Sequence, residues 1–87
     1  MQFSLSPSYP NPFNPETIID YLVATEAHVT IKVYNALGEE VTTLVNEQKS
    51  PGRYSVVWNA KSAASGTYWS RMTANGKSVV QKMILLK

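Results

Sequence analysis

His28-Val29-Thr30-Ile31-Lys32-Val33-Tyr34 is the stretch that decides the fold. A period of two puts Val29, Ile31 and Val33 on one face of a strand and His28, Thr30, Lys32 and Tyr34 on the other. All three inward residues are β-branched, as a pleated, half-buried surface favours. The alternation recurs on both sides of this strand. Upstream, Thr17 to Val23 places Ile19, Tyr21 and Val23 together, with Asp20 opposite. Downstream, Val41 to Val45 reads as an edge strand. Tyr54 to Trp58 groups Tyr54, Val56 and Trp58, and Gly66 to Thr73 sets Tyr68, Ser70 and Met72 against Trp69 and Arg71. The last run, Ser78 to Leu86, has an ambiguous register. Lys82 argues that Val79, Gln81, Met83 and Leu85 face inward, which leaves Val80, Ile84 and Leu86 outside.

Between these runs lie turn signals. Ala24 to Ala27 is a short polar connection. Asn35-Ala36-Leu37-Gly38-Glu39 is a tight one, with Gly38 free to take a positive φ. Asn46 to Gly52 reads as a polar loop closed by Pro51-Gly52, and Asn59 to Ser65 as a loop of small residues. Asn75-Gly76 is a strong hairpin signal suited to a type I′ turn. Six or seven short strands with a turn about every ten residues, and no helical periodicity, predict an all-β, antiparallel sandwich.

Composition narrows the function classes. Eighty-seven residues make one domain. A chain of that size buries roughly 60–65% of its unfolded surface, enough for a modest core but not for a deep catalytic cleft as well. There is no cysteine, which excludes thiolate zinc sites, thiol catalysis and a disulfide framework. No apolar run is long enough to span a bilayer as a helix. Met1-Gln2-Phe3-Ser4 lacks the basic and apolar regions of a signal peptide, as a piece cut from a longer protein also would. The net charge is +2, but all six acids precede residue 48 and every base except Lys32 follows it. Either early and late strands neighbour one another and offset their charges, or Arg71, Lys77, Lys82 and Lys87 form a basic face for an acidic surface. The bases are too dispersed for a nucleic-acid footprint.

Tyr9-Pro10-Asn11-Pro12-Phe13-Asn14-Pro15 stands apart. Proline has no N–H for a ladder and biases the residue before it to extended backbone, so this stretch is a stiff lead-in rather than a central strand. Two roles are open to it: cover for the end of the sandwich, with Phe13 as the plug, or bait for a reader of polyproline-like segments.

Five blocks taken in order resemble a known family. They are Tyr9 to Pro15, Val29 to Val41, Pro51-Gly-Arg-Tyr-Ser-Val-Val-Trp58, Ser65-Gly-Thr-Tyr68 and Lys82-Met-Ile-Leu-Leu-Lys87. Together they resemble the C-terminal sorting domain of the type IX (Por) secretion system. The same block order is similar to the immunoglobulin-like domain of the flagellar hook-capping protein, a relative in fold. The resemblance runs from about Ser6 to Lys87. It implies a seven-stranded immunoglobulin-like β-sandwich at the C-terminus of a larger exported protein, with residues 1–8 as leader or linker from an upstream cargo domain and 9–87 as the immunoglobulin-like sorting domain. It implies a non-enzymatic signal, without cofactor, read by an outer-membrane translocon in a Gram-negative envelope. Such domains pass through the periplasm, and are often cleaved off while the cargo is joined to surface lipopolysaccharide. The cargo ends at the outer-membrane surface or outside the cell. Residue by residue, Lys82, Met83, Ile84, Leu85, Leu86 and Lys87 match the family's terminal signal strand. Pro10, Asn11, Pro12, Phe13, Asn14 and Pro15, with Gly38, Gly66 and Tyr68, match its structural motifs. Family members often have proline after the first strand, where this chain has Ala24.

Chemistry is sparse. His28 is the only histidine, with no cysteine or second histidine for a metal site. Glu39 and Glu40 are neighbours that point to different sides, and no Ser/His/Asp set or phosphate loop can be assembled. Trp58 alternates with Tyr54 and Val56 and reads as core. Trp69 and Arg71 are the candidate exposed binding residues, since an aromatic beside a base can stack on a sugar or pack a neighbouring domain. That leaves as alternatives to the sorting signal a module that binds glycan or a partner protein, or a structural spacer or assembly domain. An apolar terminal strand flanked by lysines frays with little loss to the rest and can be read by strand addition, with weak self-association through the same strand as a further contact.

Overall fold

The computed structural model describes residues 3–87, which form seven strands and no helix. In chain order they are β1 (Ser4–Leu5), β2 (Glu16–Val23), β3 (Ala27–Tyr34), β4 (Glu40–Lys49), β5 (Gly52–Asn59), β6 (Gly66–Ala74) and β7 (Lys77–Leu85). One sheet has the order β1-β2-β5 and the other β4-β3-β6-β7, with every pair antiparallel. This is the expected all-β sandwich. Its three-plus-four order is consistent with an immunoglobulin-like topology in which the fourth strand pairs with the third instead of joining the opposite sheet.

The alternation in β3 holds: Val29, Ile31 and Val33 are fully buried between the sheets. Ile19, Tyr21 and Val23 of β2 meet them from the opposite sheet, with Met72 of β6 and Met83 and Leu85 of β7 completing the layer. Trp58 is core, as its alternation predicts. Phe13, Trp58 and Tyr68 close one end, with ring centroids 5.5 Å apart for the first pair and 5.2 Å for the second. Such tilted and edge-on pairs add to the area each ring buries.

Two expectations need correction. The stretch 1–8 is not simply a leader. Residues 1 and 2 lie outside the described residues, but Ser4 and Leu5 pair with Leu22 and Tyr21, and Leu5 is buried in the core. The boundary at residue 9 therefore falls inside the folded unit. Nor is Asn46 to Gly52 a loop. β4 runs on to Lys49, paired with Ala27, so the connection shrinks to Ser50 and Pro51. The sequence hid this because β4 is an edge strand with register shifts opposite Ile31/Lys32 and Val33/Tyr34. Those shifts break its alternation, and only Val45 is buried.

The turns follow their chemistry. Asn35 caps the β3–β4 turn: its Oδ1 accepts from the N–H groups of Leu37 and Glu39, and Gly38 takes φ +82°. At the β6–β7 hairpin Asn75 and Gly76 have φ of 52° and 78°, the pair of positive values a type I′ turn needs. Gly76→Ala is expected to cost about 1–2 kcal/mol, because an L-residue strains in the left-handed region. Urea denaturation checks this, and an unchanged midpoint would mean the hairpin can adopt another turn.

Candidate functional site

Of the residues matched to the signal strand, Lys82 to Leu85 form the end of β7, at the edge of the four-stranded sheet, and Leu86 and Lys87 follow it. Met83 and Leu85 point inward and are fully buried, while Val80 and Leu86 are 51% and 56% exposed and Lys82 is exposed as well. The register is the one that Lys82 predicts. Because Met83 and Leu85 belong to the core, the expectation that this strand frays with little loss is overturned. Exposing both side chains costs roughly 1.5–3 kcal/mol each. What the strand offers to a partner is its outward row and its edge.

That edge is partly covered by the proline-rich stretch. Tyr9 bridges Ile18 of β2 through two main-chain hydrogen bonds, at 3.0 and 2.8 Å. The Tyr9 hydroxyl donates to the Asp20 carboxylate at 3.0 Å, and that bond raises the phenol's pKa above its usual 10. From there the chain crosses the open end to β7. Phe13 is 2% exposed and pairs with Leu85 as a parallel bridge: its N–H donates to the Ile84 carbonyl, and its own carbonyl accepts from the Leu86 N–H, both at 3.0 Å. One ladder step earlier the side chain of Asn11 takes over. Its Nδ2 donates to the Lys82 carbonyl at 3.1 Å and its Oδ1 accepts from the Ile84 N–H at 2.9 Å. In a parallel ladder, those are the two groups that the main chain of residue 11 would engage. The carboxamide carries one donor and one acceptor side by side, as a peptide unit does.

Phe13 thus plugs the end of the sandwich, as expected from the sequence. The role of Asn11 was missed. Its signal lay in the proline spacing: Pro10, Pro12 and Pro15 have no N–H, so only Asn11, Phe13 and Asn14 can donate to a strand edge. Lys87 is also tied down, its N–H to Ser65 Oγ at 3.0 Å and its Nζ to the Lys61 carbonyl at 2.7 Å. Gly66 lies opposite Leu85 in the β6–β7 ladder, and the Tyr68 hydroxyl donates to the Ala64 carbonyl at 2.6 Å. Gly66 and Tyr68 therefore sit beside the end of β7, while Gly38 lies in the β3–β4 turn.

Trp69 and Arg71 lie on the outer face of the same sheet. Trp69 is half-buried, in register with Tyr34 on one side and Lys82 on the other, and Arg71 is exposed between Lys32 and Val80. These two candidates and the signal strand share one face. Among the described residues two ion pairs form, Lys32–Glu40 at 3.1 Å and Glu47–Lys49 at 2.6 Å. The second holds the Glu47 carboxyl below its usual range through the hydrogen bond from Lys49. Neither involves Arg71, Lys77, Lys82 or Lys87, and Lys32 stands beside Arg71. Lys32 and Glu40 thus offset one another across β3 and β4, while Arg71 and Lys82 on the outer face of β6 and β7 have no ion-pair partner among the described residues.

His28 Nε2 donates a hydrogen bond to Asn46 Oδ1 at 2.6 Å. Among the described residues no three His, Cys, Asp or Glu side chains come together as metal ligands, and no helix is long and apolar enough to cross a membrane.

No curated protein matches the chain. The model of the family described as the secretion system C-terminal sorting domain matches residues 8–86, which take in β2 to β7 and the proline-rich stretch. The chain belongs to that family, the sorting signals of type IX secretion, which direct proteins through the periplasm to the outer-membrane surface or the extracellular space.

Proposed function

We propose that the domain is a non-enzymatic secretion and surface-attachment signal whose recognised element is β7, read by an outer-membrane translocon. The presentation of that strand carries the reading. Val80, Lys82 and Ile84 lie along the outward row of an edge strand that Leu86 and Lys87 follow, with Arg71 on the same face, while Met83 and Leu85 anchor the strand in the core. Apolar and cationic groups so arranged fit a receptor that combines an apolar groove with carboxylates. The motif Pro10, Asn11, Pro12, Phe13, Asn14 and Pro15 and the positions Gly38, Gly66 and Tyr68 hold this geometry. The upstream cargo joins ahead of β1, and surface attachment follows export.

Removing residues 82–87 would take Met83 and Leu85 out of the core, so the test is a substitution of the outward row. A reporter fused to the domain with Val80→Ser, Lys82→Glu and Leu86→Ser is expected to reach the surface of a type IX-competent host at about one tenth of the unaltered level, the equivalent of ~1.4 kcal/mol of recognition. All three sites are exposed, so the melting temperature should stay within a few degrees. If the folded variant is exported as well as the parent, β7 is not the recognised element.

A further inference from the structure

The outer edge of β7 is covered along only part of its length. In an antiparallel strand the main-chain groups of alternate residues point to opposite neighbours. The bonds of Ile84 to Asn11 and Phe13 show that the even-numbered residues of β7 point away from β6. The N–H and C=O of Val80 and the N–H of Lys82 accordingly face outward, and none has a hydrogen-bond partner among the described residues. The next two groups, the Lys82 C=O and the Ile84 N–H, are covered by the Asn11 side chain alone. Asn11 is exposed and can rotate away without disturbing the core. Phe13, buried and bonded through its main chain, cannot.

We infer that the outer edge of β7 from Val80 to Ile84 is a strand-binding site for an extended, carboxylate-bearing polypeptide segment, with the Asn11 side chain covering its far end as a removable substitute for that segment's main chain. The inference rests on the reading of β7 as the recognised element. An extended peptide is the occupant that fits, because the groups on offer are a row of main-chain donors and acceptors, which another main chain satisfies in sequence. The Asn11–Phe13 stretch already makes two ladder steps of this kind in parallel orientation. Carboxylates are indicated by Arg71 and Lys82, which have no acidic partner within ion-pair distance among the described residues. Phe13 ends the site, since its main chain already fills the next positions.

The test measures binding of the full chain to purified outer-membrane translocon, with amide exchange on the free chain. Val80→Pro deletes one outward N–H and leaves the β6 ladder intact, so it isolates the edge from the face when compared with Val80→Ala. The proline variant is expected to bind at least about tenfold more weakly than the alanine variant. Asn11→Ala is expected to bind about tenfold more tightly than the parent chain, and to exchange the Ile84 amide about tenfold faster while the Met83 and Leu85 amides keep their rates. Asn11→Asp, which keeps the acceptor and loses the donor, should fall between. Equal binding of Val80→Pro and Val80→Ala would overturn the strand-binding site. Acceleration of Met83 and Leu85 along with Ile84, or no tighter binding by Asn11→Ala, would overturn the role of Asn11. In either case, loss of binding by the Val80→Ser, Lys82→Glu, Leu86→Ser chain would leave β7 standing as the recognised element. Binding by that chain at the parent level would remove the parent reading instead.

Discussion

Phe13→Ala is expected to destabilise the domain by about 3–5 kcal/mol, the usual cost of truncating a buried aromatic. Phe13 is among the largest fully buried side chains, and its ring rests 5.5 Å from Trp58 at the closed end of the sandwich. A domain of this size is stable by only about 5–15 kcal/mol in all. The loss is therefore a large fraction of what holds the fold, and should lower the melting temperature by on the order of 20 °C. Far-UV circular dichroism against temperature checks it. A shift of less than about 5 °C would mean that the stretch from Tyr9 to Pro15 lies on the fold without being part of it.

Trp58→Ala should cost about as much, roughly 3–5 kcal/mol, for a related reason. Trp58 stands between Phe13 and Tyr68, so its removal takes from each ring its aromatic partner. The more specific expectation concerns the double variant. Contacting aromatics couple by about 0.5–1.5 kcal/mol beyond their buried area. The combined loss in Phe13→Ala, Trp58→Ala should therefore fall short of the sum by about that amount in urea denaturation. Losses that add to within about 0.3 kcal/mol would show that the two rings act independently, and that the proline-rich stretch is not seated by Trp58.

Much of the sandwich could be read from residue order alone, because β2, β3 and β6 bury one face and expose the other. Ile31 between Thr30 and Lys32, or Met72 between Arg71 and Thr73, states its side without knowledge of any neighbour. β4 could not be read past Val45. An edge strand with bulges exposes residues on both faces, so Asn46, Glu47 and Gln48 look like a loop. β1 was hidden by its length, since the pair Ser4–Leu5 is too short to show any period. The last strand was legible through its lysine-flanked apolar run, and its register through Lys82. The Asn11 contact was not, since a side chain that completes a ladder 71 and 73 residues away leaves no periodic trace. Only the spacing of the prolines, which withholds donors at alternate positions, pointed toward it.

That same separation gives the domain a clock. Loop closure over some seventy residues is entropically unfavourable until most of the intervening structure exists, and long-range pairings of this kind form late in folding. A chain delivered from its N-terminus presents Asn11 and Phe13 long before Lys82, Ile84 and Leu86 are available to receive them. The proline-rich stretch and the last strand are consequently expected to join late in folding, and until they do the outer edge of β7 is uncovered from Lys82 to Leu86. The accessibility of the Lys82 carbonyl and the Ile84 N–H therefore reports whether the proline-rich stretch has closed over the last strand.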